Sequence, residues 1–153
     1  MKKTALLLVA MMVASLTFAQ TDLSGSWKLN TSKSKLGERS FAPGSLVLVQ
    51  KDNNLSIESH TTFQEQEMTS TDKLTLDGKE CVNTGMMDMQ KKSVATWSED
   101  KTTLKVVAKI AFQDQTLTIT ESYKMDAGNL VVESSMGGGA MGEMKETRVY
   151  EKK

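Results

Sequence analysis

Residues 102–125 read TTLKVVAKIAFQDQTLTITESYKM, and this stretch decides the fold. On one side of its centre an alternating apolar set runs Leu104, Val106, Ala108, Ile110 and Phe112. On the other side the set is Leu117, Ile119, Tyr123 and Met125. Period-two alternation marks strands with one buried face. A two-residue turn at Gln113-Asp114 sets Ile110 opposite Leu117 and Ala108 opposite Ile119. Both sets then share a face, as an even-length loop requires. The same alternation turns Glu121 inward, between Ile119 and Tyr123.

The neighbouring hairpins continue the pattern. A turn over Asp126-Ala127-Gly128-Asn129 opposes Met125 to Leu130 and Tyr123 to Val132, which keeps the inner face. Asp100-Lys101 brings Trp97 opposite Leu104, as core or cavity wall. Asp77-Gly78 is the strongest hairpin signal in the chain and predicts Leu74 opposite Cys81. Strands are expected near 24–29, 45–51, 54–63, 67–76, 79–85, 91–98, 102–112, 115–125, 129–136 and 143–151. So many short antiparallel strands leave long open edges unless the sheet curls shut. The expected fold is all-β, an antiparallel up-and-down β-barrel of eight to ten strands. Pro43, the only proline, falls outside them. Asn30 to Gly44 is polar and reads as a loop or a short helix over one mouth. Gly137 to Gly142 reads as a mobile loop.

The two ends carry a resemblance. Gly25-Ser26-Trp27-Lys28-Leu29 and Thr147-Arg148-Val149-Tyr150-Glu151-Lys152 resemble the first and last strands of the lipocalin and fatty-acid-binding protein (calycin) superfamily. The resemblance implies that these strands lie side by side and close a barrel around a small apolar ligand. Gly25 and Trp27 correspond to its structural motif, with the indole covered by a late basic residue, Arg148 or Lys145. In the fatty-acid-binding proteins an inward Arg-x-Tyr pair holds the ligand carboxylate, which implies Arg148 and Tyr150 here. Over the length after the signal the chain also resembles exported bacterial lipocalin-like domains that begin Gly-(Ser/Thr)-Trp-Lys-Leu-Asn and end Val-Tyr-Glu-Lys-Lys.

The chain departs from that pattern in three ways. The fifteen residues from Asn30 to Gly44 are too few for a two-helix lid. The chain carries an export signal. Glu121 stands where the fatty-acid-binding family has a second basic residue. An inward Glu121 near Arg148 would neutralise the guanidinium and occupy its fork. An internal ion pair, hydrogen-bonded to the Tyr150 phenol, therefore competes with ligand binding as the role of these residues.

Lys2 and Lys3 precede an apolar run from Ala5 to Val13 and then Ser15-Leu16-Thr17-Phe18-Ala19. That order is a secretory signal peptide, with an apolar run too short for a membrane span. Cleavage is expected after Ala19, leaving a domain over 20–153 in the periplasm or medium. No cysteine near that point offers a lipid-anchor site. The 19 basic and 19 acidic residues become 17 and 19 once Lys2 and Lys3 are gone. A net charge of −2 gives no reason to expect nucleic acid or an anionic membrane as partner. The 134 residues that remain make one domain, expected to be a monomer.

Cys81 is the only cysteine and His60 the only histidine, so no internal disulfide and no two-imidazole site can form. Cys81 reads as a small core residue and His60 as a solvated one. Asp100, Asp114 and Asp126 suit turns without any metal. Met86, Met87, Met89, Met136, Met141 and Met144 raise a Cu(I) site, thioethers being soft ligands. Lining of a cavity mouth or of a promiscuous apolar surface is the favoured reading, because no Met-His or Cys-Met pairing at short spacing accompanies them. No nucleophile–base pair is visible, so no enzyme, cofactor or metal is expected. The chain reads as an exported, non-catalytic barrel that binds a small apolar or amphipathic molecule. Arg148, Tyr150, Glu121, Tyr123, Trp97 and Phe112 are its candidate ligand-binding residues. A barrel packed solid, acting through its surface, is the alternative.

Overall fold

The computed structural model describes residues 19–153, apart from residues 64, 86, 87, 113 and 139–141 and the side chains of Phe63 and Phe112. Residues 1–18 of the expected signal segment and the methionines Met86, Met87 and Met141 lie outside the described residues. Ten strands form one antiparallel sheet: β1 (Gly25–Leu29), β2 (Ser45–Lys51), β3 (Asn54–Phe63), β4 (Gln66–Thr75), β5 (Glu80–Thr84), β6 (Gln90–Trp97), β7 (Thr103–Phe112), β8 (Gln115–Asp126), β9 (Asn129–Gly137) and β10 (Met144–Lys152). Their hydrogen-bonded order is β4-β3-β2-β1-β10-β9-β8-β7-β6-β5. The first and last strands are neighbours, with Trp27 opposite Lys152 and Leu29 opposite Tyr150. β4 and β5 end the sheet and come back together, so the barrel is nearly closed along one seam.

The hairpin registers follow the alternation. Ile110 pairs with Leu117 and Ala108 with Ile119. Met125 pairs with Leu130 and Tyr123 with Val132. Ala127 and Gly128, at the tip of the latter hairpin, both have positive φ, which suits the right-handed twist of the strands they join. Trp97 pairs with Leu104. Asn30–Gly44 contains no helix. It runs on from β1 along β10, bridging Lys35 to Thr147, and then turns over the barrel end at Gly37–Ser40.

The Asp77-Gly78 hairpin is the exception. Leu74 pairs with Leu55 of β3, and Cys81 with Ser93 of β6. The expected Leu74–Cys81 pairing does not form, because the two strands splay apart and close by side chains instead. The Asn83 amide accepts from the Lys73 N–H at 2.9 Å and donates to the Lys73 carbonyl at 3.0 Å. Cys81 Sγ accepts from the Thr75 N–H at 3.3 Å. These bonds satisfy backbone groups that a bare edge would leave to water. Cys81 is consequently half-buried in the seam, packed against the edge of the core.

The core fills the half of the barrel that holds the β2–β3 and β8–β9 turns. Leu23, Trp27, Leu48, Leu55, Leu104, Leu130, Val132 and Tyr150 are all 2% exposed or less. Leu23 plugs that end, and its carbonyl accepts from Trp27 Nε1 at 3.2 Å. The Gly-x-Trp motif has a local cause. Gly25 has φ +152°, and a Cβ there would stand 3.2 Å from the indole of Trp27. The cation over Trp27 is Lys152, 5.9 Å from the ring centroid, and not Arg148 or Lys145. The guanidinium is engaged inside the barrel instead.

Candidate functional site

At the opposite end the interior changes character. Alternation along β8 carries Glu121 inward one step above the buried Tyr123. Along β10 it carries in Glu146, Arg148 and Tyr150, and along β9 the small, buried Ser134. Ser134 pairs with Glu121 on one side and Glu146 on the other, so its short side chain leaves the two carboxylates free to converge. Arg148 fills that space. Its Nη1 donates to Glu121 Oε1 and its Nε to Glu146 Oε2, both at 2.9 Å. Tyr123 donates its hydroxyl to the other Glu121 oxygen at 2.6 Å. The other Glu146 oxygen accepts from the Gly37 N–H at 3.2 Å.

The electrostatics follow from this geometry. Burial pushes the Glu146 carboxyl up, but hydrogen bonds from Ser40, Arg148 and the Gly37 N–H outweigh it and hold the group below its ordinary value. Burial also works against the charge on Arg148, yet Glu121, with Glu146, keeps it firmly protonated. Burial, reinforced by Glu121, raises the Tyr123 phenol well above the usual tyrosine range.

Tyr150 points inward as expected, but its hydroxyl donates to the Pro43 carbonyl at 3.1 Å and not to the ion pair. Tyr123 takes that place. Trp97 packs against the core far along β6, away from the charged group. Phe112 pairs through its backbone with Gln115 at the rim, and its side chain lies outside the described ones. His60 is on the outer face, bonded to Glu58 and Thr69.

Three interior charged groups, Glu146, Lys91 and Asp72, escaped the sequence reading. Glu146 is two residues before Arg148, so alternation alone placed it inward. Lys91 and Ser93 precede the inward Ala95 and Trp97 at the same spacing, and Asp72 precedes Leu74. Lys91 and Asp72 form an ion pair behind the seam, each side chain 18% exposed. Asp72 and Lys91 form one charged pair in the interior, and Glu121, Arg148 and Glu146 a second charged group. Beyond the Arg148 group along β8, β9 and β10, Ile119, Leu117, Met136 and Met144 face inward and are only partly covered. Met136 pairs with Met144, consistent with methionines lining a mouth. Among the described residues no group of His, Cys, Asp or Glu side chains is arranged to hold a metal ion.

A ten-strand antiparallel barrel whose first and last strands are neighbours has counterparts in fold among solved structures. The fold is that of the calycin barrels. Human cRBP IV, a cellular retinol-binding protein, superposes with a TM-score of 0.57 at 17% identity, over 87% of this chain and 99% of that one. The zebrafish ileal bile acid-binding protein, solved with cholic acid, gives 0.56 at 16% over 85% and 98%. A secretory abundant heat soluble protein of Ramazzottius varieornatus gives 0.58 at 12% over 89% and 98%. Neither a family model nor a curated protein sequence matches the chain. At such identities the calycin likeness concerns the fold. Two of these neighbours are binding proteins.

Proposed function

We propose that this calycin barrel is an exported, non-catalytic carrier that binds a small apolar or amphipathic molecule in the open half of its interior. The observation that carries the reading is the partly covered apolar wall of Leu117, Ile119, Met136 and Met144 beyond the Arg148 group. Inward apolar side chains left open to solvent suit a ligand-lined mouth better than a barrel packed solid. Glu121, Tyr123 and Arg148 form the floor on which the ligand rests, and Tyr150 braces the floor from below. Arg148 is held by two carboxylates, so a fatty-acid headgroup gains little there. The carrier therefore favours uncharged ligands over free fatty acids. Removal of residues 1–19 places it in the periplasm or medium, acting as a monomer.

Native mass spectrometry of protein purified from its own host tests the carrier reading. A copurifying small molecule supports it, whereas a bare chain that also fails to bind a fluorescent apolar probe favours the solid barrel. N-terminal sequencing of the same material tests export, with Gln20 as the expected first residue.

A further inference from the structure

An open groove of about 410 Å³ lies on the outer face of the barrel, across β8, β9 and β10. Alternation turns Thr120, Ser122, Glu133, Ser135, Lys145 and Thr147 outward into it, and Lys35 joins them from the loop after β1. The registers fix its layout. Thr120 stands opposite Ser135, and Ser135 opposite Lys145. Ser122 stands opposite Glu133, Glu133 opposite Thr147, and Thr147 opposite Lys35. The floor is rich in hydroxyls and two strand spacings wide, roughly 10 Å. Of the two glutamates that line it, Glu133 is engaged by Lys124 at 3.2 Å, and Glu146 turns its carboxylate inward to Arg148 at 2.9 Å.

Lysines rim this floor on both sides. Lys35 and Lys145 stand on the β10 side, while Lys105 and Lys109 of β7 stand opposite Ser122 and Thr118 on the other. All four are exposed. Among the described residues Lys35, Lys105 and Lys109 have no ion-pair partner, and Lys145 has only the exposed Glu143. The near-neutral balance of the whole chain thus conceals a basic face, offset by aspartates in turns such as Asp52, Asp77 and Asp100. Charge complementarity calls for a polyanion, and the side chains select its kind. Single-stranded nucleic acid is held by aromatic stacking, and an anionic membrane by apolar side chains that enter it. Neither the groove nor its rim carries an aromatic among the described residues, and the exposed Phe41, Val49, Met68 and Val82 all lie off it. A saccharide chain needs neither device. Its hydroxyls exchange hydrogen bonds with serine and threonine, and its carboxylates meet the lysines.

We propose that this face binds a linear, carboxylated polysaccharide, seated on Thr120, Ser122, Ser135 and Thr147 between the two lysine rims. The site is on the outside of the barrel and stands or falls apart from the interior carrier site. Affinity gel electrophoresis through polygalacturonate tests it, with polyglutamate as a polyanion that lacks sugar hydroxyls and dextran as a sugar chain that lacks charge. Polygalacturonate is expected to retard the protein most, and dextran not at all. Lys35→Gln with Lys145→Gln, and Lys105→Gln with Lys109→Gln, should each weaken polygalacturonate binding roughly fivefold, the worth of two exposed charge contacts. Lys28→Gln with Lys51→Gln removes the same charge from β1 and β2 and should change it less than about twofold. Ser135→Ala should weaken polygalacturonate roughly threefold, the worth of one modest hydrogen bond, and leave polyglutamate unchanged. Equal retardation by polyglutamate and polygalacturonate, or equal losses from all three double variants, would overturn the site. Binding to phosphatidylglycerol vesicles with no retardation by polygalacturonate would overturn it too, and assign the face to a membrane.

Discussion

Arg148 donates to Glu121 across 2.9 Å although the two residues stand on strands that do not pair, β10 and β8. β9 lies between them, and neighbouring strands are spaced by roughly 4.8 Å. The bond therefore passes over Ser134, the residue paired with both Glu121 and Glu146. A guanidinium fork has the reach and the planarity for this, and a lysine ammonium does not. The arrangement turns what would be a carboxylate receptor into a closed internal network.

Arg148→Ala should destabilise the protein by about 3–5 kcal/mol, because it leaves the buried Glu146 facing Glu121 with no cation between them. Glu121→Ala should cost less, since Arg148 keeps Glu146. The double substitution should cost less than the sum of the two. Urea unfolding of the four proteins measures this cycle. Additive losses would show that the 2.9 Å contact contributes no coupling.

Glu146 gives the network a pH dependence whose sign is fixed. Its folded pKa lies below its ordinary value of 4.5, so its contribution is fully present above that value and is lost as pH falls through the folded pKa. The exposed Asp77, held down to about 2 by hydrogen bonds from Thr75 and Lys79, acts in the same sense. Melting temperature should fall as pH drops below about 4.5, and Glu146→Gln should flatten that slope while lowering stability at neutral pH. An unchanged slope would mean that the carboxyl is not preferentially ionised in the folded state.

Much of this was legible in the sequence, and what was not has physical reasons. Even-length turns and strict alternation place Ile110 against Leu117 and turn Glu121 and Arg148 toward one another, because a one-residue slip would invert a whole face. Asp77-Gly78 misled for a complementary reason. A turn signal reports that the chain reverses, but it does not report whether the flanking strands stay within hydrogen-bonding distance. Closing the barrel decides that, and it depends on all ten strands together. Tyr150 faces inward as its spacing demands. The partner of its hydroxyl, the Pro43 carbonyl, depends on how the Asn30–Gly44 loop folds back, which alternation does not encode.

Gly138 should not tolerate a side chain. Its φ is +141°, and a Cβ would stand 2.3 Å from the Thr116 carbonyl oxygen, a contact with backbone that cannot swing away. Gly138→Ala should therefore cost at least about 1–3 kcal/mol, with the strain felt where β8 and β9 meet at the rim. Gly142→Ala is the control: it too has positive φ, +70°, but among the described residues its Cβ meets nothing within 4 Å. Thermal denaturation of both variants checks this. Equal losses would assign the cost to backbone conformation and not to the clash.

Asn83 should be the clasp of the seam. Its side-chain amide occupies both the N–H and the carbonyl of Lys73, as a paired strand would, on an edge with no ladder partner. Asn83→Ala removes both bonds and leaves the Asp72–Lys91 pair and the Cys81–Thr75 contact to hold the two strands. Amide hydrogen exchange at Lys73 should then accelerate roughly tenfold, the equivalent of about one hydrogen bond, while the core amides of β8 and β9 keep their rates. Labelling of the Cys81 thiol, half-buried beside the clasp, should quicken in parallel. Asn83→Asp should fall between: its carboxylate still accepts from the Lys73 N–H, but it meets the Lys73 carbonyl with a second acceptor. Exchange at Lys73 that stays at the wild-type rate in Asn83→Ala would show that the remaining contacts close the barrel without Asn83. Acceleration spread evenly over all strands would show that the seam does not open independently of the rest of the fold.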